Sequence, residues 1–185
     1  MLGRTHEIGG ITATMALDVI LKGIALNTPT AVACILVSVL GALTPDLDKP
    51  TSTIYHLFPA GTFIGKLVHP FFLGGHRHLS HSIIGLVLFG YLSHFLLYKF
   101  VTLPDISILY IWIAYMTGFI SHLILDAMTD EGIPLFFPTH IKVGIPPIRA
   151  LRVTTGSWVE HAIVFPLLLI AIGFMYVHFY YIFIK

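Results

Sequence analysis

The chain has 185 residues, 56% of them hydrophobic and 10% charged, with a formal net charge of +1. A soluble domain carries about 25% charged residues, so a chain this apolar cannot clothe a water-facing surface and reads as an integral membrane protein. The small net charge excludes nucleic acid, which needs a basic stripe or patch, and the single Cys34 excludes a disulfide framework.

The first residues, MLGRTHEIGG, lack the pattern of a signal peptide. Targeting is therefore expected to fall to the first membrane segment. Five segments in turn read as helices, over about 6–26, 29–44, 82–103, 105–128 and 159–184. A bilayer core of about 30 Å needs about 20 residues, a length that the third, fourth and fifth reach. The first carries Asp18 and Lys22 and the second is short, so these two form a tilted or shielded hairpin. Pro29 suits the first turn of the second helix, and Pro104 separates the third from the fourth. The expected fold is all-α: one polytopic domain over 1–185 with about five transmembrane or membrane-embedded helices.

Two long interfacial loops remain, about 45–81 and 129–158, both rich in Gly and Pro. Loops of that length in a compact domain favour a functional role. The second has short alternating pieces that could pair as a small hairpin, limited by Pro146 and Pro147.

If all five segments cross, alternate helix ends share one membrane side. His6 opens the first helix, Asp46 and Asp48 follow the second, and His76 to His81 precede the third. His122 and Asp126 end the fourth, and Glu160 and His161 open the fifth. All of these fall on the same side. That side also holds Arg4, Lys49, Lys66, Arg77, Lys142, Arg149 and Arg152, against Lys22, Lys99 and Lys185 on the other. The bias makes the polar side cytoplasmic and the protein a multi-pass component of the cell (inner) membrane.

The chemistry is carried by three motifs. Eleven histidines against ten Lys plus Arg point to metal or proton chemistry. In "SHLILDAMTDEG", His122 and Asp126 are four apart and share a helix face, where they can grip one ion. The bland alternative is a histidine hydrogen-bonded to an aspartate to ease the burial of both, although ionisable groups at membrane depth are functional by default. "LTPDLDKP" sets Asp46 and Asp48 two apart, and neighbouring carboxylates favour a cation. In "HRHLSHS", His76, His78 and His81 can converge, Ser80 reads as a helix N-cap, and Arg77 can hold a phosphate oxygen in its planar fork. Single His56, His69, His94, His140 and His178 read as non-ligands.

The order "H…PDLD…HRxxSHS…HLxxD…TxxGxPLFFP" resembles the membrane-bound, LexA-regulated metal-dependent hydrolases (YdjM-like proteins) over most of the chain. The resemblance carries over His6, Asp46, Asp48, His76, Arg77, His81, His122 and Asp126, and "RVTTGSWVE" with Gly156, Ser157 and Glu160 looks like a further shared element. His78 stands where the related motif has a small residue. More distantly, the ligand pattern is similar to zinc-dependent phospholipase C and P1 nuclease, which implies phosphoester hydrolysis.

Together these point to a metal-dependent hydrolase at the cytoplasmic interface. The metal set is His6, Asp46, Asp48, His76, His81, His122, Asp126 and Glu160. Mixed His and carboxylate donors suit two or three Zn2+ ions, with Mn2+ or Fe2+ as alternatives. A metal-activated water would attack, with Asp48 or Glu160 as general base and Arg77 on the substrate. A lipid or lipid-linked phosphoester is the expected substrate. The rivals are a metal permease, which would carry its ligands near the bilayer midplane, and a structural or regulatory membrane protein stabilised by its metal.

Overall fold

The computed structural model describes residues 1–21, 27–56, 59–69, 78–102, 104–139 and 141–183. His76, Arg77, His140, Lys22 and Lys185, all read above, lie outside these described residues.

The described residues form seven α-helices in order: α1 (Gly3–Ile20), α2 (Thr28–Leu43), α3 (Thr53–His56), α4 (Gly61–Val68), α5 (Ile83–Phe100), α6 (Ile108–Ala127) and α7 (Phe165–Phe183). A 3₁₀ turn (Thr44–Asp48) extends α2, and a π-turn (Glu160–Val164) heads α7. Asn27 caps α2 by accepting from the Thr30 amide, with Pro29 in the first turn as expected. Ser82, rather than Ser80, caps α5, accepting from the Gly85 amide at 3.1 Å.

Among the described residues, four stretches are long and apolar enough to cross a membrane: Thr28–Asp48, Ile83–Phe100, Ile108–Ala127 and Glu160–Phe179. α1, with Arg4, Glu7 and Asp18, is less apolar and packs against α2, α6 and α7. The chain is an all-helical membrane protein. Its centre is the α2–α6 pair, each 44% buried over its apolar window, whereas α7 is 6% buried and presents its apolar surface outward.

Small residues let the central helices approach closely, as in membrane bundles generally. A Cβ added at Gly118 would fall 2.0 Å from the Ser38 carbonyl oxygen, and one at Gly41 would fall 2.0 Å from that of Tyr115. Gly10 of α1 packs on Ser38 and Ala42 in the same way. Cys34 sits buried with Ile111 and Ala114, a packing residue. α5 joins the bundle through Trp112, whose indole N–H donates to the Gly90 carbonyl at 3.0 Å, and through Phe89 against Phe119. His94 stacks on Tyr98 and meets Trp112 edge-on.

The first long loop contains two helices that its glycines conceal in the sequence. Gly61 lies against the Tyr55 backbone and Gly65 against Pro50, while Phe63, Ile64 and Leu67 of α4 face outward. The second loop forms no strand among the described residues. Ile133 and Val143 exchange one antiparallel pair of backbone bonds at 2.9 and 2.8 Å, so the expected hairpin is a single bridge. Arg152 organises this loop by donating to the carbonyls of Pro146, Pro147 and Gly144.

Candidate metal centre

Helix direction brings the chemistry together. The start of α1, the end of α2 with its 3₁₀ turn, the approach to α5 and the end of α6 meet at one end of the bundle. They carry His6, Asp46, His81, and His122 with Asp126. His6, His81 and His122 are completely buried and Asp126 is 1% exposed, while Asp46 at 16% reaches towards the outside.

The donors form two overlapping triads that share His122, one with Asp46 and His81 and one with His6 and Asp126, and Asp126 also approaches His81. The Nε2 atoms of His81 and His122 are 3.1 Å apart, and each lies 3.8 Å from Asp46 Oδ1. Asp126 Oδ2 is 3.6 Å from His81 Nε2 and 3.8 Å from His122 Nε2. Donors bound at about 2.0–2.1 Å to one tetrahedral ion lie about 3.4 Å from each other.

The surrounding hydrogen bonds fix which ring nitrogens face that point. The Ala42 carbonyl can only accept, so His122 donates its Nδ1–H to it at 2.6 Å and keeps an Nε2 lone pair. The Ser80 hydroxyl donates to Asp48 Oδ2 at 2.6 Å, so its oxygen is left to accept from His81 Nδ1 at 2.9 Å. His81 in that tautomer also aims an Nε2 lone pair inward. Two lone pairs and two carboxylates facing one another repel unless a cation lies between them. Without a metal, a proton serves. Burial opposes protonation of His81, but the Asp126 and Asp48 carboxylates outweigh it and lift its pKa to about 9.

His6 adds to the case. Its ring stacks on that of His122 with centroids 3.7 Å apart and planes 13° apart. Its Nε2 approaches Asp126 Oδ1 at 3.2 Å, an ion-pair contact that falls short of a well-aligned hydrogen bond, and neither ring nitrogen has another hydrogen-bond partner among the described residues. Burying such groups poorly satisfied costs about 1–3 kcal/mol, so a buried imidazole whose one polar contact is a ligand carboxylate fits a ligand. Asp126 thus turns one oxygen to His81 and His122 and the other to His6, where the chain's first amino group also touches it. The residues present fit a divalent metal of the Zn2+ type.

Two predicted donors stand apart from this point. Residues two apart on a 3₁₀ turn differ by 240° in direction, so Asp46 faces the cluster while Asp48 stands behind His81 and holds it through Ser80. Glu160 is buried elsewhere. Its Oε1 accepts from the Leu2 amide and the Thr5 hydroxyl, both at 2.7 Å, and its Oε2 accepts from the Gly156 amide at 2.8 Å. Gly156 presents that amide from a left-handed turn (φ +76°), which suits glycine. Glu160 therefore clamps the first turn of α1, next to His6, and the structure does not bring it to the cluster as a ligand or base. His78 contacts Phe137 edge-on. Sequence reasoning missed the work of Ser80 and of the Ala42 carbonyl. A serine beside a histidine was a readable signal, but a backbone carbonyl carries none.

The family model for the YdjM inner membrane protein matches residues 1–184. The chain belongs to that family. It is also similar to the uncharacterized protein YvsG of Bacillus subtilis (strain 168), with 33% identity over 97% of this chain and 98% of the relative. No solved structure matches. The family description adds a membrane to the geometry: this YdjM-family chain folds its His and Asp cluster to one end of a helical bundle long enough to span it.

Ligand-orienting partners such as Ser80 typically change metal affinity by about 10–100-fold when removed. Ser80→Ala is expected to weaken metal binding by about that factor without unfolding the protein, as read by competition with a chromophoric chelator. Unchanged affinity would mean that the Asp48–Ser80–His81 chain does not set the His81 tautomer.

Proposed function

We propose that this protein is a membrane-bound metal-dependent hydrolase that cleaves a phosphoester of a lipid or lipid-linked substrate. The observation that carries the reading is the pair of Nε2 lone pairs, on His81 and His122, held by Ser80 and Ala42 against two carboxylates. His81, His122, Asp46 and Asp126 would hold one Zn2+, with Mn2+ or Fe2+ as alternatives. His6, His122 and Asp126 form a second group of three donors, but it shares His122 and Asp126 with the first, so a second ion would find only His6 and Asp126 Oδ1 uncommitted among the described side chains. When bound, the metal supplies Lewis-acid activation of a water and neutralises developing negative charge.

The remaining steps fall to the chain. Ala42 and Ser80 hold the imidazoles in the tautomer that binds, and Asp48 orients Ser80. The partial exposure of Asp46 marks the side on which the cluster opens. The Lys and Arg bias supports a cytoplasmic site. The position of the donors at helix ends favours an enzyme over a permease, whose ligands belong at mid-depth. The likeness to zinc-dependent phospholipase C and P1 nuclease rests on ligand pattern, and it supports the reaction class by analogy alone.

Zn2+-loaded protein in mixed micelles is expected to turn over short-chain phospholipids or a generic phosphodiester, and His81→Ala to abolish the turnover. If the metal-loaded protein cleaves no phosphoester, the reaction class falls. A coordination shell filled entirely by protein would favour the structural reading instead.

A further inference from the structure

A cavity of about 400 Å³ opens between the first turn of α1 and the π-turn that heads α7. That volume lies in the range of small-ligand sites. The cavity shares a wall with the metal cluster: Leu2 and Thr5 line it, and their chain neighbours Met1 and His6 both touch Asp126. π-turns are rare and occur mostly at functional sites.

The lining is polar at one part and apolar at another. Arg4 is exposed and its guanidinium makes no hydrogen bond among the described residues; its charge acts on Glu7 one turn on through space, which leaves the donors of its planar fork open. His161 donates Nδ1–H to the Ser157 carbonyl at 2.8 Å, which leaves Nε2 for a ligand. Thr53 adds a hydroxyl. Glu160 also lines the cavity, but it is fully buried with its oxygens on Leu2, Thr5 and Gly156, so its charge stays at the back. Phe165 and Leu2 supply the apolar part, and from Phe165 the outward apolar surface of α7 runs on along the membrane-spanning stretch.

We propose that this cavity binds the phosphate-bearing headgroup of a membrane amphiphile, with Arg4 as its counter-charge and the apolar tail on α7. A guanidinium matches a phosphate through two parallel hydrogen bonds. An exposed arginine whose donors are open, beside a continuous apolar helix face, fits an amphiphile better than a free anion, because the tail gains burial that a small ion cannot. Glu160 at the back wall keeps the phosphate near the mouth, at Arg4, His161 and Thr53. Naming the cavity the substrate's headgroup pocket rests on the hydrolase reading; the binding itself does not.

Binding of dioctanoyl phosphatidic acid to the full-length protein in detergent micelles, followed by native mass spectrometry, tests this directly. Dioctanoylglycerol and inorganic phosphate serve as comparisons. The lipid phosphate should bind well above both, and Arg4→Gln should weaken it by about tenfold or more while metal content is unchanged. His122→Ala should lose metal yet retain the lipid. Equal binding by the parent and Arg4→Gln, or loss of the lipid in His122→Ala alone, would overturn the proposal by assigning the phosphate elsewhere. Inorganic phosphate binding as tightly as the lipid, with the same dependence on Arg4, would overturn the amphiphile assignment. Specific binding of the lipid by a metal-loaded protein that cleaves no phosphoester would sink the hydrolase reading and leave this one standing.

Discussion

His122→Ala and Asp126→Ala are each expected to strip the metal from the purified protein, whereas His178→Ala keeps it. Both ligands are buried and four residues apart on α6, with His122 Nε2 and Asp126 Oδ2 turned to the point that His81 and Asp46 also face. Removing an orienting partner weakens a site by about 10–100-fold, so losing one of four direct donors should exceed about 100-fold. His178 is exposed, bonds the Phe174 carbonyl through Nδ1 at 3.0 Å and stacks on the Phe174 ring. Elemental analysis after dialysis distinguishes the three variants. Equal metal in all of them would reduce His122 and Asp126 to a buried polar pair.

Gly118→Val should destabilise the bundle and the site together, by about 3 kcal/mol or more. Overpacking a core usually costs about 1–3 kcal/mol, but here the added atom meets backbone. A Cβ at Gly118 would lie 2.0 Å from the Ser38 oxygen and 2.9 Å from the Ala42 nitrogen, so no side-chain rotation relieves it and α2 must move away from α6. That displacement carries the Ala42 carbonyl away from His122 Nδ1 and releases the ring. Gly173→Ala is the control, since a Cβ there meets nothing within 4 Å. Thermal unfolding in detergent and metal content should both fall for Gly118→Val and hold for Gly173→Ala. A stable, metal-replete Gly118→Val would mean that the helices are not in such close contact.

The sequence made the helices legible because apolar runs of membrane length leave few alternatives, and alternating helix direction then placed His6, Asp46, His81, His122 and Asp126 at one end. The His122–Asp126 pair was readable because helical periodicity alone fixes a shared face. The roles of Asp46 and Asp48 were not separable, since only the 3₁₀ geometry of Thr44–Asp48 turns them apart. Glu160 looked like one more carboxylate at a helix end; that its oxygens are held by Leu2, Thr5 and Gly156 depends on contacts more than 150 residues distant for two of the three. α4 was hidden because Gly61 and Gly65, which usually mark loops, serve there as contact surfaces against Tyr55 and Pro50.

The central claim is that one ion sits among His81, His122, Asp46 and Asp126. X-ray absorption at the metal edge of purified protein, loaded with Zn2+ and freed of excess, measures it most directly. The account predicts tightly held zinc, about one per chain, with nitrogen and oxygen neighbours at about 2.0–2.1 Å, imidazole scattering and no sulfur, since Cys34 lies buried between α2 and α6. A protein that retains none of Zn2+, Mn2+ or Fe2+ after loading, or a shell containing sulfur, would contradict it.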